Sequence, residues 1–254
     1  MMDVISLGAG KQSSYLLMTA MSGVYGYIPS MAIFADTGCE PQYVYDHLDW
    51  LENWSNLPII RVTEGNLLKD TISYLNGERK RVASLPLRLE GNGGLIMRQC
   101  TNDYKIRPVR KYLQSTRDGK KIRLWIGISL DEMERMKASN VKYIENYFPL
   151  VEKAIRISDI IKYFKDNNYP EPKKSACLIC PFHSDGYWKA FKNKYPDEFE
   201  KACQFDDSIR VYPKLKKKTY LSKHTKPLRE IDFNIQQSLI FPELIEECDG
   251  LCGL

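Results

Sequence analysis

Between Ile5 and Ser14 the chain reads I-S-L-G-A-G-K-Q-S-S. An apolar run, a glycine turn and a helix-compatible stretch would aim several backbone N–H groups at one point, where the helix dipole adds positive potential. Gly8, Ala9, Gly10, Lys11, Gln12, Ser13 and Ser14 are therefore candidate phosphate-binding residues, with Lys11 and the two hydroxyls completing the cradle. The stretch is not a Walker A loop, which needs four residues between its glycines; Gly8 and Gly10 are separated by one, and Lys11 is followed by Gln12. The plain alternative is a strand-to-helix turn that uses glycine for its backbone alone.

The second set of reactive residues is sulfur. Seven cysteines in 254 residues are too sparse for a disulfide scaffold, so close pairs point to metal or redox chemistry. Cys177 and Cys180 form a Cys-x-x-Cys closed by Pro181, and Cys248 and Cys252 stand near the end of the chain. With Cys100, three thiolates and a fourth ligand such as Cys248 suit zinc or a 4Fe–4S cluster. The two tail thiols could be a nucleophile with a resolving thiol, a cluster ligand, or a loose end. Cys39 and Cys203 have no partner in sequence and read as core residues. Arg98, Lys105 and Arg107 are candidates for anionic substrate groups. Arg110 reads as a solvated helix residue, and His183 and His224 are single histidines with no catalytic assignment.

The elements that must position these residues alternate. "DVISLG", "MAIFADTG", "PIIRVTEG" and "KIRLWIGIS" read as strands. Between them, Ser13–Met21, Pro41–Trp54 and a stretch opening at Asn66 as N-cap read as helices. Alternation predicts an α/β fold, a parallel sheet with helices on both faces, in which ligands bind beyond the carboxyl ends of the strands. Gly8–Ser14 and Asp36–Gly38 then share one edge. Residues 77–97 are basic and then glycine-rich, which suggests a loop or short hairpin. Pro108 is tolerable only near the first turn of a helix. A nucleotide-binding domain over 1–169 and a Cys- and Lys-rich extension over 170–254, packed on it, follow from the change in composition.

The net charge of +5 comes from one segment: Arg210–Arg229 holds eight basic residues and no acidic one. With Tyr212 and Tyr220 interleaved, it could neutralise phosphates and stack bases of a nucleic acid, or it could be a solvated face. There is no apolar run long enough for a membrane span and no signal-peptide pattern, so no membrane partner and a cytoplasmic location are expected.

The order of these motifs resembles the adenine nucleotide alpha-hydrolase superfamily, and most closely the phosphoadenosine phosphosulfate (PAPS) reductase-like family. Gly8-Ala9-Gly10-Lys11-Gln12-Ser13 takes the place of the family's S-G-G-x-D-S pyrophosphate loop, and Asp36-Thr37-Gly38 matches its second-strand D-T-G. "CTNDYKIRP" is similar to a C-x-x-x-x-K-x-x-P segment, "WIGISLDEMERMK" to a strand and Arg-bearing turn, and "CLIC" to a late Cys-x-x-Cys. The likeness runs over about residues 3 to 205. It departs at Gly8, where the family has Ser, and at Gln12, where it has an Asp suited to magnesium.

The resemblance implies an adenine nucleotide site built by the loop together with Phe34, Asp36, Thr37 and Arg135, with Lys11 and Ser13 in the chemistry. It implies ATP with Mg2+, or PAPS or adenosine phosphosulfate (APS), as bound nucleotide. The expected activity is an ATP pyrophosphatase that adenylates a nucleic acid or metabolite for sulfur transfer, with a 4Fe–4S cluster and a sulfur donor protein. A thiol-dependent PAPS/APS reductase using Cys252, and a non-catalytic nucleotide-binding protein with a structural zinc, are the alternatives.

Overall fold

The structure is a computed structural model and describes residues 1–91 and 94–233. Strands β1 (Met2–Leu7), β2 (Met31–Asp36) and β3 (Ile59–Thr63) alternate with helices α1 (Lys11–Ala20), α2 (Gln42–Trp54) and α3 (Leu67–Leu75). A two-residue strand β4 (Arg88–Leu89), a π-turn (Asn102–Ile106) and α4 (Arg107–Thr116) precede β5 (Ile122–Ile126). A 3-10 turn (Leu130–Arg135), β6 (Ile144–Tyr147), α5 (Pro149–Glu152) and α6 (Ile157–Asp166) follow. Helices α7 (Asp185–Lys194) and α8 (Pro196–Ser208), a short strand β7 (Thr219–Tyr220) and a 3-10 turn (Leu228–Glu230) complete the described chain.

The main sheet has the order β3-β2-β1-β5-β6, and every pairing in it is parallel. Parallel strands covered on both faces must be apolar throughout, and Val4, Ile5, Leu124 and Trp125 of the two central strands are fully buried. The chain builds outward from β1 to β3, then returns to the other side of β1 as β5. The carboxyl ends of β1 and β5 therefore form the switch point of the sheet, where a crevice for ligands opens. The Gly8–Gly10 loop leaves β1 at that point.

Two cores flank the sheet. Leu16, Leu17, Leu48, Leu51 and Phe164 fill one side, and Val109, Leu113, Ile126 and Ile144 the other. A third core joins Leu67 and residues 83–104 to α7, α8 and the chain as far as Ile231. The Cys- and Lys-rich stretch is thus built onto α3 and the 77–104 segment. Strand β7 pairs antiparallel with β4, and Arg88 forms an antiparallel bridge with Leu95. Pro108 is the second residue of α4, directly after the π-turn, whose residues already have helical backbone, so its missing N–H falls where the ladder changes from π to α spacing. Asn66 caps α3 by accepting from Lys69 N at 2.9 Å. Among the described residues no helix is long and apolar enough to cross a membrane.

Candidate functional site

The β1–α1 loop is closed on itself. Gly8 N donates to Ser13 Oγ at 3.1 Å, and that hydroxyl donates to Gly10 O at 3.2 Å. Ala9 carries the left-handed backbone of the turn at φ 56°, whereas Gly10 is extended at φ −96°. Glycine at 10 leaves room for Ser175: a Cβ there would stand 2.9 Å from Ser175 Oγ. Gly127, at the end of β5, is tighter still, since its Cβ would lie 2.9 Å from both Cα and N of Ser13. The absent side chain at 127 lets the end of β5 lie against the start of α1. "WIGIS" reads as ordinary strand in sequence, so this requirement is invisible there.

Adjacent helical residues point about 100° apart, and the two serines separate accordingly. Ser13 faces the loop. Ser14 is fully buried, and its hydroxyl meets His47 Nε2 at 2.9 Å, so it is turned away from the phosphate cradle in which the sequence suggested it. Gln12 is also buried; its amide donates to Ser129 Oγ at 3.1 Å and to Glu132 Oε2 at 2.8 Å. Arg135 bonds the same Glu132 oxygen, so Gln12 and Arg135 are tied to one carboxylate beside the loop. Lys11 reaches Glu171 at 2.6 Å, with both side chains partly exposed.

The end of β2 forms the next wall. Asp36 accepts from Gly38 N at 2.7 Å and from the Tyr45 hydroxyl at 2.8 Å, which fixes a tight turn. Gly38 adopts φ 65° with Asn66 packed behind it. Phe34, two residues before Asp36 on β2, pairs with Leu7 and is 3% exposed, its side chain enclosed in the core beside α1 and α2.

Thr37 leads to the cysteines. Its hydroxyl donates to Glu40 Oε1 at 3.1 Å and stands 3.3 Å from Cys177 Sγ. Cys177 in turn donates to Glu40 Oε1 at 3.3 Å, and Lys105 approaches the same oxygen at 3.4 Å. The Glu40 carboxylate is almost fully enclosed and its second oxygen has no partner. Burial, and then the nearby Glu40 charge, push the Cys177 thiol well up, which keeps it protonated in this arrangement. Cys100, Cys177 and Cys180 line one pocket with Thr37, Arg98 and Lys105. Phe182 adds an aromatic wall under the Arg98 guanidinium, 5.5 Å from its ring centre. Arg107 is exposed at the start of α4 and is not part of this lining.

The donors fit a thiolate-held group in kind, because the Cys177–Cys180 pair and Cys100, distant from it in sequence, line one cavity. Among the described residues no three His, Cys, Asp or Glu side chains are already at metal-holding spacing. Cys248 and Cys252 lie outside the described residues. Cys39 and Cys203 are enclosed, and burial pushes their thiols up to about 12 and about 11, consistent with core roles. Glu40, Gly127, Glu132, Glu171 and Ser175 were not legible as site residues, since each acts through a partner distant in the chain.

No family model matches the chain, and no curated protein matches it. Solved structures do. The phosphate complex of phosphoadenylyl-sulfate (PAPS) reductase from Candida auris is 12% identical, covers 67% of this chain and 74% of its own, and has a TM-score of 0.45. The U34-tRNA thiolase NcsA from Methanococcus maripaludis, with its [4Fe-4S] cluster, is 15% identical, covers 82% and 72%, and has a TM-score of 0.47.

The basic segment is less available than its composition suggested. Tyr212 and Tyr220 are buried, so neither ring is open for stacking on a base. Arg210 pairs with Asp206, Lys223 with Asp185, and Arg229 with Glu200 and Asp207. Lys214, Lys216, Lys217 and Lys226 are exposed and make no ion pair among the described residues.

Proposed function

We propose that the protein is an adenine-nucleotide enzyme of the PAPS reductase-like type, which adenylates an acceptor for sulfur transfer. The observation that carries this reading is the shared wall between loop and thiol pocket. Ser175 lies over Gly10, and two residues later Cys177 lies against Thr37 at the end of the neighbouring strand. A nucleotide at the switch point and chemistry at the thiols would therefore be neighbours.

In this reading the Gly8–Ser13 loop and Lys11 hold the phosphates, with Mg2+ as their counter-ion. An acceptor oxygen attacks the alpha phosphorus of ATP, the alpha–beta phosphoanhydride bond breaks, and pyrophosphate leaves with the electron pair. The acceptor then carries AMP, which a sulfur nucleophile can displace. Cys100, Cys177 and Cys180 would hold an iron–sulfur cluster, which would supply a site for that sulfur. Arg98 and Lys105 would orient an anionic group of the acceptor in the pocket. A nucleic acid would be met by Lys214, Lys216, Lys217 and Lys226, through its phosphates rather than by stacking.

Pyrophosphate release from ATP, measured on anaerobically purified protein with and without added RNA or DNA, tests the reading. Release that needs Lys11 and Ser13 supports it. Sulfite release from PAPS in the presence of thioredoxin, with no pyrophosphate from ATP, would instead identify a reductase; the cations Arg98 and Lys105 beside the thiols are the feature that suits that substrate.

A further inference from the structure

The segment from Tyr169 to Ser175 reads Y-P-E-P-K-K-S. It links α6 to the Cys-x-x-Cys, and prolines on both sides of Glu171 restrict its backbone. It crosses the start of α1. Glu171 meets Lys11 at 2.6 Å, and Ser175 Oγ lies 2.9 Å from the Cβ position of Gly10 and 4.0 Å from that of Gly8. Farther along, the Tyr43 hydroxyl donates to Lys174 O at 3.0 Å. Pro172 is buried, while Glu171 and Lys173 are exposed.

A carboxylate is an odd neighbour for a loop that holds phosphates. It repels an incoming anion and occupies the cation that the anion needs. The conflict disappears if the two anions alternate. A phosphate brings more charge and more acceptor oxygens to Lys11 than a half-exposed carboxylate does. We propose that Glu171 is a surrogate anion: with the loop empty it latches the Tyr169–Ser175 strap to Lys11, and a nucleotide phosphate takes Lys11 from it and releases the strap. This rests on the nucleotide reading above, and it adds a regulatory residue and a moving part to that site.

The test is limited trypsin digestion of the full chain, followed by mass at the Lys173 and Lys174 bonds, in wild type and in Glu171→Gln. The first arm contains no nucleotide. Cleavage there is expected to be faster in Glu171→Gln, because the latch is gone; equal rates would overturn the latch whether or not the protein binds ATP. The second arm adds ATP with Mg2+ and measures binding by calorimetry. Wild-type cleavage should accelerate toward the Glu171→Gln rate, and the variant should bind ATP about two- to fivefold more tightly, the scale of a partly exposed ion pair. Slower wild-type cleavage with ATP would overturn the exchange and show a strap that closes over the nucleotide. An absence of ATP binding in both proteins would overturn the nucleotide reading and the exchange together, while the first arm would still decide the latch.

Discussion

Ser14 Oγ and His47 Nε2 stand 2.9 Å apart in the buried seam between α1 and α2. Val44, His47, Leu48 and Leu51 are the buried residues of α2, so His47 occupies an apolar stripe at helical spacing. The bond satisfies two polar groups that would otherwise be buried alone, and it ties the loop-bearing helix to its neighbour.

This pair predicts acid sensitivity. Burial lowers His47 to about 4 from an ordinary 6.5. Between those values the unfolded chain binds a proton that the folded chain refuses, so stability rises with pH there and is lost as pH falls from about 6.5 toward 4. The loss at the acid end is up to about 3 kcal/mol from this residue. In His47→Gln, the melting temperature should fall less steeply with acid over that window than in wild type. Parallel curves for the two proteins would remove His47 from the acid response.

A second expectation concerns the glycines at the switch point. In Gly127→Ala the new methyl meets the backbone of Ser13, which cannot rotate aside, so one chain must move. Overpacking of that kind costs about 1–3 kcal/mol, and it displaces the loop. In Gly10→Ala the methyl meets the side-chain oxygen of Ser175, which can turn away. Thermal melts should therefore rank Gly127→Ala as the more destabilised. Adding Ser175→Ala should restore much of the Gly10→Ala loss and none of the Gly127→Ala loss.

The thiol pocket gives a third. Anaerobically purified Cys100→Ala, Cys177→Ala and Cys180→Ala should each lose metal, read by iron, zinc and sulfide analysis and by the visible spectrum. Cys39→Ala and Cys203→Ala should keep it and lose only packing, since both thiols are enclosed. A triple variant at 100, 177 and 180 with full metal content would show that other residues are the ligands.

The sheet was legible because its strands are short apolar runs separated by helices with buried residues at helical spacing. Strand β6 was not: "IENY" is four residues with two polar ones, too short to show a period. At the site, the sequence placed Gly8–Ser13 at a strand end and marked Cys100, Cys177 and Cys180, and the fold gathers those three around one pocket. It could not tell Ser13 from Ser14, because identical side chains 100° apart on a helix differ only in what each faces. Nor could it show Glu40 or Glu171 as site residues. A carboxylate in a loop looks solvated until the fold sets a thiol or a lysine beside it.

The last prediction concerns the acceptor. Of the four exposed lysines without an ion pair among the described residues, Lys214, Lys216 and Lys217 lie together in sequence, whereas Arg210 and Arg229 are held by acidic partners. Each phosphate neutralised on a duplex contributes about −0.9 to the slope of log affinity against log salt, and on a single strand about −0.7. Replacing the three lysines with alanine should flatten the slope for a bound nucleic acid by about two to three units, according to the strand form. Arg229→Ala should change it little, because that guanidinium is already committed to Glu200 and Asp207. None of the three is bonded to the Gly8–Ser13 loop proposed to hold the nucleotide, so ATP affinity should stay at the wild-type value. An unchanged slope in the triple variant would mean that nucleic acid, if bound, meets another face. An absence of binding to any RNA or DNA at low salt would turn the acceptor toward a small metabolite that fits the thiol pocket.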